Sequence, residues 1–238
     1  MSRRRPVVTI DGPAGAGKST VSRALADRLG FIYLDTGAIY RATALEAGHD
    51  AGLAARVDGA NDVAALADED RRRLAEVAAA LDLRFEDGDT RVLVGGRDVS
   101  AAIRAPEIGE RASKISAVPE VRAALLPLQR RIAVEGGVVA EGRDVGTVVF
   151  PDAEVKFFLT ADAAERARRR AAELRARGVA IDEAAVRAEI EARDARDSRR
   201  AVAPLVQPAD AIVVDSSRLA PEAVLARMVD AVTQRNPA

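Results

Sequence analysis

The chain has 238 residues, and its formal net charge at pH 7 is −1. Although 31% of the residues are charged, the two signs balance, so no net field attracts the protein to nucleic acid or to a membrane surface. Aromatic residues make up only 3%, which leaves few rings on which nucleic acid bases could stack. The absence of cysteine excludes disulfides and thiol nucleophiles and fits a cytoplasmic protein. No apolar run approaches the roughly 20 residues of a membrane span, so we expect no membrane partner.

Residues 7–20, VVTIDGPAGAGKST, contain the strongest motif of the sequence. The β-branched start predicts a short buried strand, and residues 12–19 fit the phosphate-binding loop pattern G-x-x-x-x-G-K-[ST]. In such a loop the glycines let N–H groups converge on phosphate oxygens, while Lys18 supplies positive charge and Ser19 offers its hydroxyl to Mg²⁺. The predicted ATP-binding residues are Gly12, Pro13, Ala14, Gly15, Ala16, Gly17, Lys18, Ser19 and Thr20.

Short apolar segments alternate with helical patterns along the chain. Five segments read as strands, at residues 7–10, 31–34, 138–141, 155–159 and 211–214. Because helical crossovers join them, the sheet should be parallel and covered by helices on both faces, which makes a three-layer α/β fold. Ligands of such sheets bind beyond the carboxyl ends of the strands. We therefore expect residues 12–19, 35–41 and 141–144 to line one crevice.

Three further segments depart from this alternation. Apolar and charged residues alternate between residues 81 and 99, with a turn at Asp87-Gly88, which predicts a small antiparallel hairpin or three-stranded meander. Residues 105–136 return to a helical pattern, which Pro119 should interrupt and Pro127 should kink or break. Residues 161–200 read as two charged helices separated by Gly178, and most of their arginines should form a solvated face.

Arginines near the predicted strand ends indicate a second anion. Arg41 and Arg143 could chelate an anion that faces a bound triphosphate, which suggests a phosphorylated acceptor. A phosphate acceptor is largely ionised at neutral pH and needs no general base. The single histidine, His49, lies in a polar segment and reads as a surface residue. A hydroxyl acceptor would instead need a carboxylate base, for which Asp35 or Asp144 is available.

The chain contains GPAGAGKST, LDTGAIYRA, EGRDVGTVVFPDA and RDARDSRRAVAPL, in this order and across nearly its whole length. With these stretches it resembles the bacterial-type cytidylate kinases. The resemblance implies a single P-loop kinase domain over residues 1–238, with an acceptor-binding insertion at about 55–125 and a mobile helical lid at about 161–200. It also implies transfer of the γ-phosphate of ATP to CMP or dCMP, with Mg²⁺. We expect a monomer.

The resemblance further assigns contacts to individual residues. The acceptor phosphate would contact Thr36, Arg41, Arg143 and Arg200, the ribose would contact Arg193 and Asp197, and the base would contact Ser113, Arg122 and Asp144. Cytosine suits this base set, because a carboxylate can accept from N4 while a guanidinium donates to N3 or O2. Uracil reverses the donor and acceptor at positions 4 and 3 and would be mispaired.

The resemblance also assigns the catalytic charges. They would come from Lys18, Arg41, Arg143, Arg193 and Arg200, while Glu141 would orient Mg²⁺ through water. Two other functions remain open from the residues alone, a P-loop kinase of a small hydroxyl metabolite and a non-catalytic nucleotide-binding switch. The hydroxyl kinase would not need the base set, and a GTP-specific switch would need a guanine-recognition motif such as N-K-x-D, which the sequence lacks.

Overall fold

The computed structural model describes residues 5–60, 62–86, 91–176 and 178–235. The chain forms two compact units, one of Met1–Leu34 with Glu135–Ala238 and the other of Asp35–Val134. The strands are β1 (Val7–Asp11), β2 (Ile32–Asp35), β3 (Leu83–Glu86), β4 (Arg91–Val94), β5 (Arg97–Asp98), β6 (Val138–Gly142), β7 (Val155–Thr160) and β8 (Ile212–Asp215). The α-helices are α1 (Lys18–Leu29), α2 (Thr36–Ala47), α3 (Ala51–Gly59), α4 (Asp68–Ala79), α5 (Pro106–Ile115), α6 (Pro119–Ile132), α7 (Ala163–Ala176), α8 (Glu183–Arg199) and α9 (Pro221–Arg235).

A five-stranded parallel sheet forms the centre of the first unit, with the strand order β2-β6-β1-β7-β8. The five predicted strands are confirmed, each within one residue at either end. Every residue of β1 is buried, and Ile10 pairs with Glu141 on β6 and with Phe157 on β7. Side chains of α1 and α9, among them Leu25 and Met228, pack in the same core cluster as Ile10 and Phe157. This order brings the chain segments that follow β1 and β6 out of the sheet side by side.

A second, smaller sheet belongs to the unit of Asp35–Val134. Its three antiparallel strands β3, β4 and β5 confirm the predicted meander, with Phe85 opposite Val92 and Leu93 opposite Asp98. The predicted turn at Asp87-Gly88 lies outside the described residues. The sheet is a local addition to a unit that is otherwise built from helices α2 to α6.

The helix boundaries follow the proline and glycine positions only in part. Pro119 starts α6, where a missing N–H costs nothing, and Gly178 adopts a φ of +76° between α7 and α8. Pro127 was predicted to kink or break the helix; a break is wrong, because α6 continues without interruption to Ile132, and the kink stays a prediction. A proline removes only one helical hydrogen bond, and the buried side chains of α6 keep the helix in place by packing.

Among the helices that the described ranges contain, none combines the length and the apolar character that a membrane crossing requires.

The first glycine of the phosphate loop is fixed by sterics. Gly12 has a φ of +150°, and a Cβ at this position would overlap the carbonyl oxygen of Leu159 on β7. Gly30, the C-cap of α1, also has positive φ, at +63°, but nothing lies within 4 Å of the space that its Cβ would fill.

We therefore expect Gly12→Ala to lower the free energy of unfolding by about 3 kcal/mol or more, since it adds backbone displacement to conformational strain. Gly30→Ala is the matched control and should cost only about 1 kcal/mol, the strain alone. Urea denaturation of both variants measures the difference. Equal losses would show that the loop tolerates a side chain beside Leu159.

Candidate functional site

Several carbonyl oxygens of the phosphate loop accept hydrogen bonds from side chains of the protein. Lys18 Nζ donates to the carbonyl oxygens of Gly12 and Pro13, at 2.8 Å each. The hydroxyl of Ser216 donates to the carbonyl oxygen of Ala16 at 3.1 Å. With these oxygens held in this way, the loop and the N-terminus of α1 present a surface that favours an anion.

Lys18 is buried in a field of charges that the sequence analysis had grouped with it. Burial, together with the positive charges of Arg143 and Arg193, lowers the pKa of its ammonium group to about 7, while the negative charge of Glu141 opposes the shift. Predicted residues from the loop, from β6 and from α8 are thus within electrostatic reach of one another. A phosphate anion at the loop would favour the charged form of Lys18.

Asp197 on α8 gathers two of the predicted arginines. Its side chain is 1% exposed and accepts a hydrogen bond from Arg143 Nε at 2.8 Å and another from Arg200. Burial alone would raise the pKa of this carboxyl, but the charges of Arg143, Arg200 and Arg193 outweigh burial and lower it. The first unit therefore contains a cluster of three guanidinium groups around one buried carboxylate.

Asp11, the last residue of β1, fixes the segment that follows Asp144. Its carboxylate accepts hydrogen bonds from the N–H groups of Val145 at 2.8 Å and Gly146 at 2.7 Å. These residues begin a single π-helical turn, Val145–Val149. A Cβ on Gly146 would lie 2.7 Å from the hydroxyl oxygen of Thr9, so the turn packs directly on β1. Asp144 itself is buried at the start of this turn.

The second unit contains the predicted phosphate ligand Arg41, next to the start of α2. Asp35 is the N-cap of α2 and accepts from the N–H of Ala38 at 3.0 Å. Its second oxygen accepts from Arg41 Nη2 at 2.5 Å, so one carboxylate both caps the helix and holds the guanidinium. Thr36, another predicted phosphate contact, is the buried first residue of the same helix.

Two residues of the predicted base set also belong to the second unit. Ser113 on α5 is buried, and its hydroxyl has no hydrogen-bond partner among the described residues. Arg122 on α6 is buried, donates to the carbonyl oxygen of Ser116 at 3.0 Å and lies over the Tyr40 ring at 5.4 Å from its centroid. Both side chains can offer hydrogen bonds to a ligand.

The predicted site residues thus divide between the two units. The first unit contains Lys18, Glu141, Arg143, Asp144, Arg193, Asp197 and Arg200, and the second contains Thr36, Arg41, Ser113 and Arg122. That both sets line one crevice stays a prediction.

Comparison with known proteins identifies the family. The family model described as cytidylate kinase matches residues 8–234. The chain belongs to the cytidylate kinase family. Its relatives include proteins named cytidylate kinase from Syntrophotalea carbinolica, 49% identical over 98% of this chain and 94% of the relative, and from Geobacter sulfurreducens, 48% identical over 99% and 96%. The resemblance inferred from the sequence motifs is confirmed.

A solved structure shares the fold. It is described as an uncharacterized protein from Eubacterium ventriosum, is 12% identical and aligns over 97% of this chain and 99% of its own, with a TM-score of 0.50.

Several contacts of this cytidylate kinase family member were not anticipated from its sequence. Asp11, Arg166, Arg169, Asp194 and Ser216 all bond to the phosphate loop or to the turn after Asp144. Most arginines of residues 161–200 were expected on a solvated face, which fits exposed pairs such as Arg187 with Glu191. Arg166 departs from this, because it is buried. The sequence did contain a sign of this burial, because Arg166 lies close to Ala167 and Ala171, which are on the buried face of α7.

Asp11 should make a pH-dependent contribution to stability. Burial raises the pKa of its carboxyl from the usual 3.8 to about 6, against the two backbone hydrogen bonds from Gly146 and Val145. The folded state therefore holds this proton more tightly than the unfolded state does. The resulting stabilisation is complete below about pH 4 and is lost as the pH rises to about 6.

We expect the free energy of unfolding of the natural chain, minus that of Asp11→Asn, to fall by about 2 to 3 kcal/mol between pH 4 and pH 6 and then to level off. Subtracting the variant removes the contributions of the other titrating groups. Denaturant unfolding across this range measures the difference. If the difference in unfolding free energy between the two proteins did not change with pH, the raised pKa of the buried Asp11 carboxyl would be contradicted.

Proposed function

We propose that this protein transfers the γ-phosphate of ATP to CMP or dCMP and releases ADP with CDP or dCDP. The match to the cytidylate kinase family over residues 8–234 carries this proposal. Relatives with that name at 46 to 49% identity, each aligned over nearly its whole length, support the same substrates. The site geometry supports a phosphoryl transfer that relies on positioning and charge rather than on covalent chemistry.

The donor side of the reaction would use residues 12–20. Loop N–H groups and the N-terminus of α1 would hold the β- and γ-phosphates, with Lys18 beneath them. Its bonds to the carbonyl oxygens of Gly12 and Pro13 keep the ammonium group at the loop before nucleotide binds. An arriving phosphate then restores the charge that burial opposes.

The donor set fits Mg²⁺, a hard cation that prefers oxygen ligands and keeps several waters and phosphate oxygens. Ser19 is exposed at the start of α1, and the Glu141 carboxylate is close enough to affect the charge of Lys18. The described ranges hold no cluster of three His, Cys, Asp or Glu residues suited to a metal, as expected for an ion held mainly by substrate. We propose Ser19 as a direct ligand and Glu141 as a ligand through water. The ion, when bound, would neutralise charge on the β- and γ-phosphates.

The acceptor side would use arginines as clamps for a phosphate. Arg143 and Arg200 already share Asp197, and Arg41 is held by Asp35. With Thr36, these three would bind the acceptor phosphate, and Arg193 with Asp197 would bind the ribose. Two guanidinium groups that bond a carboxylate can bond a phosphate instead, because both anions offer oxygen acceptors to the same N–H donors. Because the acceptor is already anionic, the chain needs no general base.

The base set would be Ser113, Arg122 and Asp144. The Ser113 hydroxyl, buried and without a partner among the described residues, supports a ligand contact. Asp144 is buried and would accept from cytosine N4, while Arg122 would donate to N3 or O2. Uracil would leave these groups mispaired, which buried sites reject strongly.

We propose that residues 55–125 form the acceptor-binding insertion and that residues 161–200 form the lid of a monomer. Because its substrates would be ATP and CMP, we propose a cytoplasmic location. The alternatives are a P-loop kinase of a small hydroxyl metabolite and a non-catalytic switch.

An assay of ADP formation with five acceptors separates these functions. We expect CMP and dCMP to support turnover, and UMP to show a kcat/KM at least about 100-fold lower because its base is mispaired. AMP and shikimate should be inactive. Turnover with shikimate would favour the hydroxyl kinase, and no turnover with any acceptor would favour the switch.

Two variants separate the donor site from base recognition. Lys18→Met should lower kcat about 100-fold or more with every acceptor, since it removes charge at the transferred group. Lys156→Met, a buried lysine of β7 bonded to Asp210, is its control and should keep the kcat of the folded protein. Asp144→Asn should lower kcat/KM for CMP about 100-fold but leave UMP nearly unchanged. Equal losses for CMP and UMP would contradict the base assignment.

A further inference from the structure

One residue of the phosphate loop has both of its backbone groups bonded by a single ion pair. The N–H of Ala14 donates to Asp194 Oδ1 at 3.1 Å, and its carbonyl oxygen accepts from Arg166 Nη1 at 3.0 Å. The same Nη1 donates to Asp194 Oδ2, which closes the arrangement. Arg166 lies on α7 and Asp194 on α8. Both helices therefore contact the loop at one residue, Ala14.

Arg166 has a further hydrogen bond that holds its guanidinium in place. Its side chain is buried, and its Nε donates to the carbonyl oxygen of Ala161 at 3.0 Å. The backbone of α7 also lies directly against the loop, since a Cβ on Gly15 would be 3.0 Å from the Arg166 carbonyl oxygen. The loop at this point therefore packs directly on α7.

Asp194 connects Ala14 to the arginine cluster. It directly follows Arg193 on α8, and Asp197 lies about one turn further along the helix. Asp197 in turn holds Arg143 and Arg200. A carboxylate anchored on Ala14 therefore sets the position of the helix segment that contains Arg193 and Asp197.

From these contacts we infer that Arg166 and Asp194 are positioning residues, which form a clasp on Ala14 and fix Arg193, and through Asp197 also Arg143 and Arg200, relative to the phosphate loop. The inference rests on the proposed kinase function, because it assigns the arginines to the reaction. The clasp makes no contact with the reacting atoms in this assignment. It keeps the donor loop and the charges of α8 in one geometry, which in-line transfer requires.

The charges of the clasp give it a distinctive signature. Asp194 places a carboxylate at a loop that attracts phosphate, and Arg166 neutralises that carboxylate. Removing Arg166 alone would leave an uncompensated negative charge beside the triphosphate. Removing Asp194 as well would abolish that repulsion, so the second substitution should improve ATP binding rather than weaken it further.

Steady-state kinetics of three variants test this signature. Asp194→Asn should lower kcat about 10-fold, because α8 loses its anchor, and should change the KM for ATP less than about 3-fold. Arg166→Met should raise the KM for ATP about 10-fold. In the double variant the KM for ATP should return toward that of Asp194→Asn. Glu191→Gln, which removes an equal charge from an exposed ion pair on α8, is the control and should leave both constants unchanged.

Amide hydrogen exchange tests the clasp without any assay of activity. The Ala14 N–H should exchange about 10-fold faster in Asp194→Ala than in the natural chain or in Glu191→Gln, since it loses its acceptor. If the natural chain does not phosphorylate CMP, the proposed function fails while the exchange result still decides whether the clasp exists.

Either of two results would overturn the inference. One is an Ala14 exchange rate that is unaffected by Asp194→Ala. The other is a double variant whose KM for ATP is the product of the two single effects, because independent structural damage adds in free energy and shows no rescue.

Discussion

The site depends on the orientation of a few peptide groups in the phosphate loop. A loop can aim N–H groups at an anion only if the carbonyl oxygens of the same peptides point elsewhere and find donors there. Here Lys18 donates hydrogen bonds to the carbonyl oxygens of Gly12 and Pro13. Arg166 donates to that of Ala14, and Ser216 donates to that of Ala16. These donors come from α1, α7 and the segment after β8. The packing of these elements in the first unit therefore determines the shape of the phosphate loop. A substitution outside the loop can therefore alter the direction in which the loop N–H groups point.

The second feature is how the chain keeps so many cations near one another. Lys18, Arg143 and Arg193 repel one another, and burial adds to the cost of the Lys18 charge, as the lowered pKa of Lys18 shows. Asp197 offsets part of this repulsion by bonding Arg143 and Arg200, and Glu141 offsets another part. Substrate phosphates would supply the rest of the compensating charge. An excess of positive charge of this kind would favour the binding of anions.

The sequence predicted the parts of this structure that local patterns determine. Apolar runs marked the five strands, the motif at residues 12–19 marked the loop, and alternation at residues 81–99 marked the meander. It did not reveal Arg166, Asp194 or Asp11, because each acts through a partner more than a hundred residues away, and a charged helix gives no local sign of which charge is buried. The predicted break at Pro127 failed for the opposite reason: a local signal was present, but packing of α6 overrode the helix-breaking tendency of proline. The grouping of Arg143, Asp197 and Arg200 followed from family resemblance, and the ion pairs of the first unit give that grouping a physical basis.

The proposed function requires two anions, the ATP triphosphate at the loop and the CMP phosphate at the arginines, to meet end to end in one site. The most direct measurement is calorimetric binding of a compound that joins adenosine and cytidine through five phosphates. The account predicts a Kd at least about 100-fold below that of ATP or CMP alone, because one binding event would satisfy both subsites. A joined compound that binds no more tightly than ATP, while CMP still binds to the complex, would show that the two nucleotides occupy separate sites and would contradict the account.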